Sequence, residues 1–248
     1  MIMKYVRSAV FGIIFFFFTM MLFFGSIPVW CYVMVFDSRR RLAMQWYSSF
    51  WSKIIYRLNP WWRVEVRGRE NLDKSKTYLM LSNHNSMLDI PLLFYVPANF
   101  RWVSKYEVYS IPFFGWVLWM RGDVGIHRGG ASGAKKMIKE CTAFMREGIS
   151  VFLFPEGTRS KTGQIGEFHV GAFMLAKIAK QPILPVVTIG TSDAVGKEEG
   201  VTTNHYFVVS ILPEISVETV NSLSMDELAS YAKKIIKDEY DKLCQIKR

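Results

Sequence analysis

The chain has 248 residues, half of them hydrophobic and 15% aromatic, with a formal net charge of +10. That length and apolar content suit one medium domain plus a membrane segment better than two soluble domains. Three scattered cysteines, Cys31, Cys141 and Cys244, make neither a disulfide framework nor a metal set and fit a reducing compartment, while the basic balance, with no zinc spacing or RNA-binding signature, points to anionic lipid and away from nucleic acid.

Residues 8–36 carry no charged side chain. The run from Ala9 to Phe36 is dense in Phe, Ile, Val and Met and exceeds the roughly 20 residues needed to cross a bilayer core. Gly25, Ser26 and Pro28 interrupt it, so two structures satisfy the pattern: one tilted spanning helix, or a helical hairpin that returns to the same leaflet. Lys4 and Arg7 precede the run and Arg39, Arg40 and Arg41 follow it; the larger cluster favours a cytoplasmic C-terminal side at the inner membrane. The run is too long, and lacks a small-residue cleavage site, for a removed signal peptide. Residues 42–58 are expected to form an amphipathic helix, with Tyr47, Phe50, Trp51, Ile54, Ile55 and Leu58 at i, i+3, i+4 spacing. That face suits either the headgroup region or the core of the chain's own domain. Residues 1–60 are thus read as an anchor with an amphipathic helix, and 61–248 as an α/β domain.

Within 61–248, residues 62–68 alternate like a half-buried strand. Further strands are expected at 77–81, 100–104, 124–127, 150–154, 183–189 and 206–212. Helices are expected at 88–95, 131–147 and 170–180, and from a capping box at Ser224–Glu227 onward. Residues 111–120 are almost wholly apolar but too short to span; core, an acyl-chain lining and an interfacial patch all fit them. Strands alternating with helices predict an α/β sheet covered by helices.

Sites on such sheets gather where strands end. The stretch Ser82 to Asp89, SNHNSMLD, stands at one such end. A histidine beside a carboxylate is what activation of a hydroxyl requires. On a straight helix five residues turn by about 500°, leaving His84 and Asp89 pointing apart, so they meet only if the segment bends. The plainer reading makes Asp89 a helix cap and His84 a loop residue. A second end carries Phe154-Pro155-Glu156-Gly157-Thr158-Arg159-Ser160. Gly157 permits a positive φ or a close backbone approach, and turn amides with the Arg159 guanidinium suit a phosphate. Arg128 and Lys105 would add charge to the same anion. The plainer alternative is that Glu156 and Arg159 pair with each other or with neighbours. His127, His169 and His205 lack a partner at fixed spacing and read as ordinary polar residues.

NH-x-S-x-x-D, followed some seventy residues later by FPEGTRS and then by a short LPV segment, resembles the glycerolipid acyltransferases, and most closely the 1-acylglycerol-3-phosphate acyltransferases. The resemblance covers roughly residues 62–215. It implies a mostly parallel, roughly seven-stranded sheet flanked by helices, behind a membrane-embedded N-terminal segment. It implies that His84 acts as general base on the sn-2 hydroxyl of lysophosphatidic acid and that Asp89 orients and stabilises its imidazole. The acyl donor would be a thioester of acyl carrier protein or coenzyme A, with no acyl-enzyme, no metal and no organic cofactor. Asn83 and loop amides would stabilise the oxyanion. Glu156, Gly157, Thr158, Arg159 and Arg128, with Lys105, would receive the glycerol phosphate. His127 stands where the family often has an acidic residue and is given no role. Two other readings compete: acyl transfer to another lysolipid or to glycerol 3-phosphate, and a non-catalytic module that binds anionic lipid.

Overall fold

The computed structural model describes residues 2–127, 131–160, 162–196, 200–201 and 204–246. Its strands are β1 (Trp62–Arg67), β2 (Leu79–Ser82), β3 (Phe100–Lys105), β4 (Val124–Ile126), β5 (Ser150–Leu153), β6 (Ile183–Ile189), a two-residue pair β7 (Val195–Gly196) and β8 (Gly200–Val201), and β9 (His205–Ile211). Seven of them form one sheet in the order β1-β9-β6-β2-β5-β3-β4. From β6 to β4 every neighbour is parallel; β9 runs antiparallel to β6, and β1 runs with β9. The central strands β2, β5 and β6 are buried along their whole length. That is why they read as continuous apolar runs while the edge strand β1 alternates.

The helices are α1 (Ile2–Phe36), α2 (Leu42–Arg57), α3 (Asp89–Leu93), α4 (Phe114–Arg121), α5 (Ala131–Arg146), α6 (Val170–Ala179), α7 (Thr191–Ala194), α8 (Val217–Ser222) and α9 (Met225–Ile246). They cover the sheet on two faces. Because side chains alternate along a strand, Leu79, Leu81, Val151 and Leu153 meet α5, α6, α8 and α9, through Cys141, Phe173, Val220 and Ile236 among others. Met80, Phe152, Leu184 and Val186 point the other way, to Trp51, Ile55, Leu92 and Leu22 of α2, α3 and α1. The expected capping box is formed, Ser224 N–H donating to Glu227 and Glu227 N–H to the Ser224 hydroxyl.

The N-terminal segment is one continuous helix rather than a hairpin, with Pro28 inside it. The proline costs the helix one N–H, and Ser26 hydrogen-bonds the Phe23 carbonyl at 2.6 Å within the same turns. Residues Gly12–Phe36 have a mean hydropathy of 2.1, long and apolar enough to cross a membrane. Along this helix the chain also packs on itself. Tyr47 of α2 donates to the Leu22 carbonyl at 3.0 Å, Phe18 stacks on Trp51, and Trp30 meets Trp119 of α4.

The expected stripe of α2 is corrected in part, and residues 111–120 divide between core and surface. The buried face of α2 is Met44, Ser48, Trp51, Ser52, Ile55 and Tyr56; Phe50 and Leu58 are exposed. The serines are buried because they bond to carbonyls, Ser48 to Met44 and Ser52 to Pro91; apolar spacing located Trp51 and Ile55 but misplaced Phe50 and Leu58. In 111–120, Leu118 and Met120 are core, whereas Trp116 and Trp119 are half exposed beside α1.

A buried ionic cluster joins α2, α4 and β3. Arg121, 2% exposed, reaches Asp123 at 2.9 Å, Ser48 at 2.9 Å, Gln45 at 3.0 Å and the Phe100 carbonyl at 3.1 Å, with Phe94 under its guanidinium. Arg41, held in a left-handed conformation between α1 and α2, donates to the Met120 carbonyl at 2.6 Å.

Candidate active site

The chain leaves β2 at Ser82, and three residues later it has turned into the loop before α3. Asn83 makes the exit. Its fully buried amide donates to the Thr188 carbonyl and accepts from the Thr188 N–H, both at 2.9 Å. The Asn83 side chain is therefore turned onto β6.

The loop bends enough for His84 and Asp89 to meet, with His84 Nδ1 2.9 Å from Asp89 Oδ2. The same oxygen accepts the N–H groups of Asn85 at 2.7 Å and Ser86 at 2.8 Å. Asp89 is thus the first residue of α3 and reaches backward over the loop instead of capping its own helix. Its other oxygen accepts from the hydroxyls of Thr191 at 2.5 Å and Thr188 at 3.2 Å. A carboxylate can only accept, so the facing nitrogen of His84 carries the proton and a neutral ring presents a bare Nε2. The His84 side chain is 13% exposed and Asp89 is not exposed at all. The imidazole lies flat on Phe154, ring centroids 3.9 Å apart and planes within 10°, and Phe154 in turn lies on Trp102.

Glu156 binds the two loops together. Oε1 accepts the His84 N–H at 2.9 Å and Oε2 the Gly166 N–H at 2.8 Å. The His84 carbonyl accepts the Ser160 N–H at 2.8 Å. Burial pushes the Glu156 carboxyl above its ordinary value, against the pull of those two N–H groups. With Glu156 almost wholly buried, its position is that of a brace between loops, and no ion pair with Arg159 forms. Gly157 takes φ +67, left-handed backbone that a side chain would strain, and so turns the chain outward. Thr158 and Arg159 follow it, both exposed. Lys105 is exposed at the carboxyl end of β3, the same end of the parallel strands. Arg128 lies outside the described residues, two positions after β4 ends.

The remaining histidines lie elsewhere. His127 rests on Tyr106, His169 begins α6 and bonds Pro155 through its N–H, and His205 Nε2 lies 2.5 Å from the Gly190 carbonyl. Thr188 and Thr191 were missed by sequence reasoning. Nothing marks a threonine a hundred positions away as a carboxylate's partner; only the β2–β6 pairing brings them there. No group of three or more metal-ligating side chains occurs among the described residues.

Comparison with known proteins bears on this arrangement. Residues 63–189, just over half the chain, match the acyltransferase family. The chain belongs to the acyltransferase family. This acyltransferase is 36% identical over 162 residues to a chloroplastic 1-acyl-sn-glycerol-3-phosphate acyltransferase of Brassica napus, covering 64% of this chain and 46% of that one. It is 34% identical over 187 residues to the 1-acyl-sn-glycerol-3-phosphate acyltransferase of Saccharomyces cerevisiae, covering 74% and 60%. The chain spans about half the length of the plant relatives it matches. The crystal structure of the 1-acyl-sn-glycerophosphate acyltransferase PlsC from Thermotoga maritima has the same fold, with a TM-score of 0.78 over 96% of this chain and 97% of that one, at 23% identity.

Proposed function

We propose that this acyltransferase transfers an acyl group from a thioester, of acyl carrier protein or coenzyme A, to the sn-2 hydroxyl of 1-acylglycerol 3-phosphate, yielding phosphatidic acid. The observation that carries the reading is the 2.9 Å contact between His84 Nδ1 and a carboxylate with five protein donors. With Nδ1 protonated and held, Nε2 takes the acceptor's hydroxyl proton as its oxygen attacks the thioester carbonyl. The C–S bond then breaks, and the imidazolium returns the proton to the departing thiolate. Asp89 stabilises the imidazolium between the two transfers. Thr158 and Arg159, with Lys105 and Arg128, receive the phosphate; a guanidinium grips it through two parallel bonds. Helix α1 holds the protein at the inner membrane, with the catalytic domain on the cytoplasmic side. The names of the relatives support the acceptor, and they do so for those proteins.

The test is release of free thiol by the full chain in detergent or bilayers, supplied with either thioester and a panel of acceptors. His84→Ala should lower turnover by at least about 10²–10⁴-fold, the usual worth of a positioned base, with the unfolding temperature unchanged. Arg159→Ala should raise KM for the phosphorylated acceptor about 10- to 100-fold, as for a lost charge-assisted bond, and spare a neutral one. Equal losses with both acceptors would remove the phosphate assignment. Vesicle binding without any thiol release would favour the non-catalytic lipid-binding reading.

A further inference from the structure

The C-terminal helix lies beyond the residues that match the family, yet it touches both loops of the site. The Tyr240 hydroxyl accepts from Nδ2 of Asn85 at 3.2 Å and donates to the Gly163 carbonyl at 2.9 Å. Asn85 is the residue after His84; Gly163 lies in the loop that begins Gly157-Thr158-Arg159. Lys233 pairs with Glu167 of that same loop at 2.5 Å. Seven residues make about two helical turns, so Lys233 and Tyr240 leave α9 on one side. The helix itself is fixed: Leu228, Ala232, Ile236 and Leu243 are buried in the core, and Ser210 of β9 bonds Glu239 at 2.8 Å. Burial pushes the Tyr240 phenol well above its ordinary value, so it keeps its proton to donate at any working pH. Asn85 has its Oδ1 buried without a partner among the described residues. Its described side-chain bond is the one to Tyr240.

We propose that α9 is a clamp, in which Tyr240, seconded by Lys233, holds the 157–169 loop against the catalytic turn and so sets the affinity for the acceptor's phosphate. This rests on the reading of Thr158 and Arg159 as phosphate ligands. Tyr240 is a positioning residue: it acts through Asn85 and Gly163. The Lys233–Glu167 pair is exposed at its glutamate end and contributes less.

Tyr240→Phe removes one oxygen and keeps the ring, and Lys233→Gln provides a second, milder variant. Hydrogen–deuterium exchange on the full chain in bilayers reads the clamp without any substrate. Tyr240→Phe should speed exchange in peptides covering 157–169 and leave those of β2 and β6 unchanged; Lys233→Gln should do the same more weakly. In the thiol-release assay, KM for lysophosphatidic acid should rise about fivefold, the worth of an ordinary hydrogen bond. The turnover number and KM for the thioester should stay within about twofold, a split that general destabilisation would not produce. Unchanged exchange in 157–169 overturns the clamp. Faster exchange with an unmoved acceptor KM overturns its link to phosphate binding. If the unmodified protein uses no lysolipid, the acyl-transfer reading falls, while the exchange data still decide the clamp.

Discussion

Five protein donors converge on the Asp89 carboxylate, and they come from three places: its own loop, the end of β6 and the start of α7. Burying a carboxylate is costly unless its lone pairs are filled, and here they are. Glu156 has a different balance, with two backbone N–H groups and a carboxyl held above its ordinary value by burial. A folded-state value above the unfolded one means that the folded protein binds this proton more tightly. The group's stabilising contribution is therefore full below the unfolded value, near 4.5, and is lost as pH rises through the folded value. Glu156→Gln removes that titration. The unfolding temperature of the unmodified protein minus that of the variant should accordingly fall as pH rises above about 4.5; a difference that grows with pH would reverse the assignment.

At the scale of elements, the buried cluster around Arg121 fixes α2, α4 and β3 against one another. Arg121→Met should cost about 3–5 kcal/mol, since it leaves Asp123 buried without its partner. Arg121→Met with Asp123→Asn should recover a large part of that loss, measured by denaturant unfolding in detergent. The seven sheet strands and the helices α1, α2, α3, α5, α6 and α9 were legible in the sequence because central strands read as apolar runs and helices carry a 3.6-residue period, whereas α4, α7 and α8 were not. Direction was not: a run such as HYFVVSI is equally apolar whether it lies with or against its neighbour, so the antiparallel placement of β9 was invisible. The true face of α2 was hidden for a related reason, since Ser48 and Ser52 are buried through hydrogen bonds that no hydrophobic pattern records. At the site, residues close together in the chain were legible, as in SNHNSMLD and FPEGTRS. Thr188, Thr191 and Tyr240 were not, because strand pairing and helix docking bring them in from far along the chain.

At the scale of the molecule, one flank is apolar outside as well as inside. Helix α1 leaves Phe16, Phe17, Phe24 and Phe36 exposed, and α2 adds Trp46 and Phe50, stacked with their rings 5.6 Å apart. An exposed patch of this kind marks a surface made to be covered. Trp46→Ser combined with Phe50→Ser should weaken vesicle binding by about tenfold, from the apolar area removed. It should leave the unfolding temperature nearly unchanged, because neither side chain is core; equal binding by both proteins would assign lipid contact to α1 alone.

The Asn83 amide has one further consequence. A primary amide on a side chain is chemically a peptide group cut loose from the backbone, and Asn83 uses it as one, offering Thr188 of β6 a donor and an acceptor just past the end of β2. The main chain is thereby released from the ladder while the ladder continues. Aspartate offers no donor, leucine neither group, and glutamine is a methylene too long, so the position has a vocabulary of one word. The turn that carries His84 is thereby tied to a central strand at the point where the backbone has already departed from it.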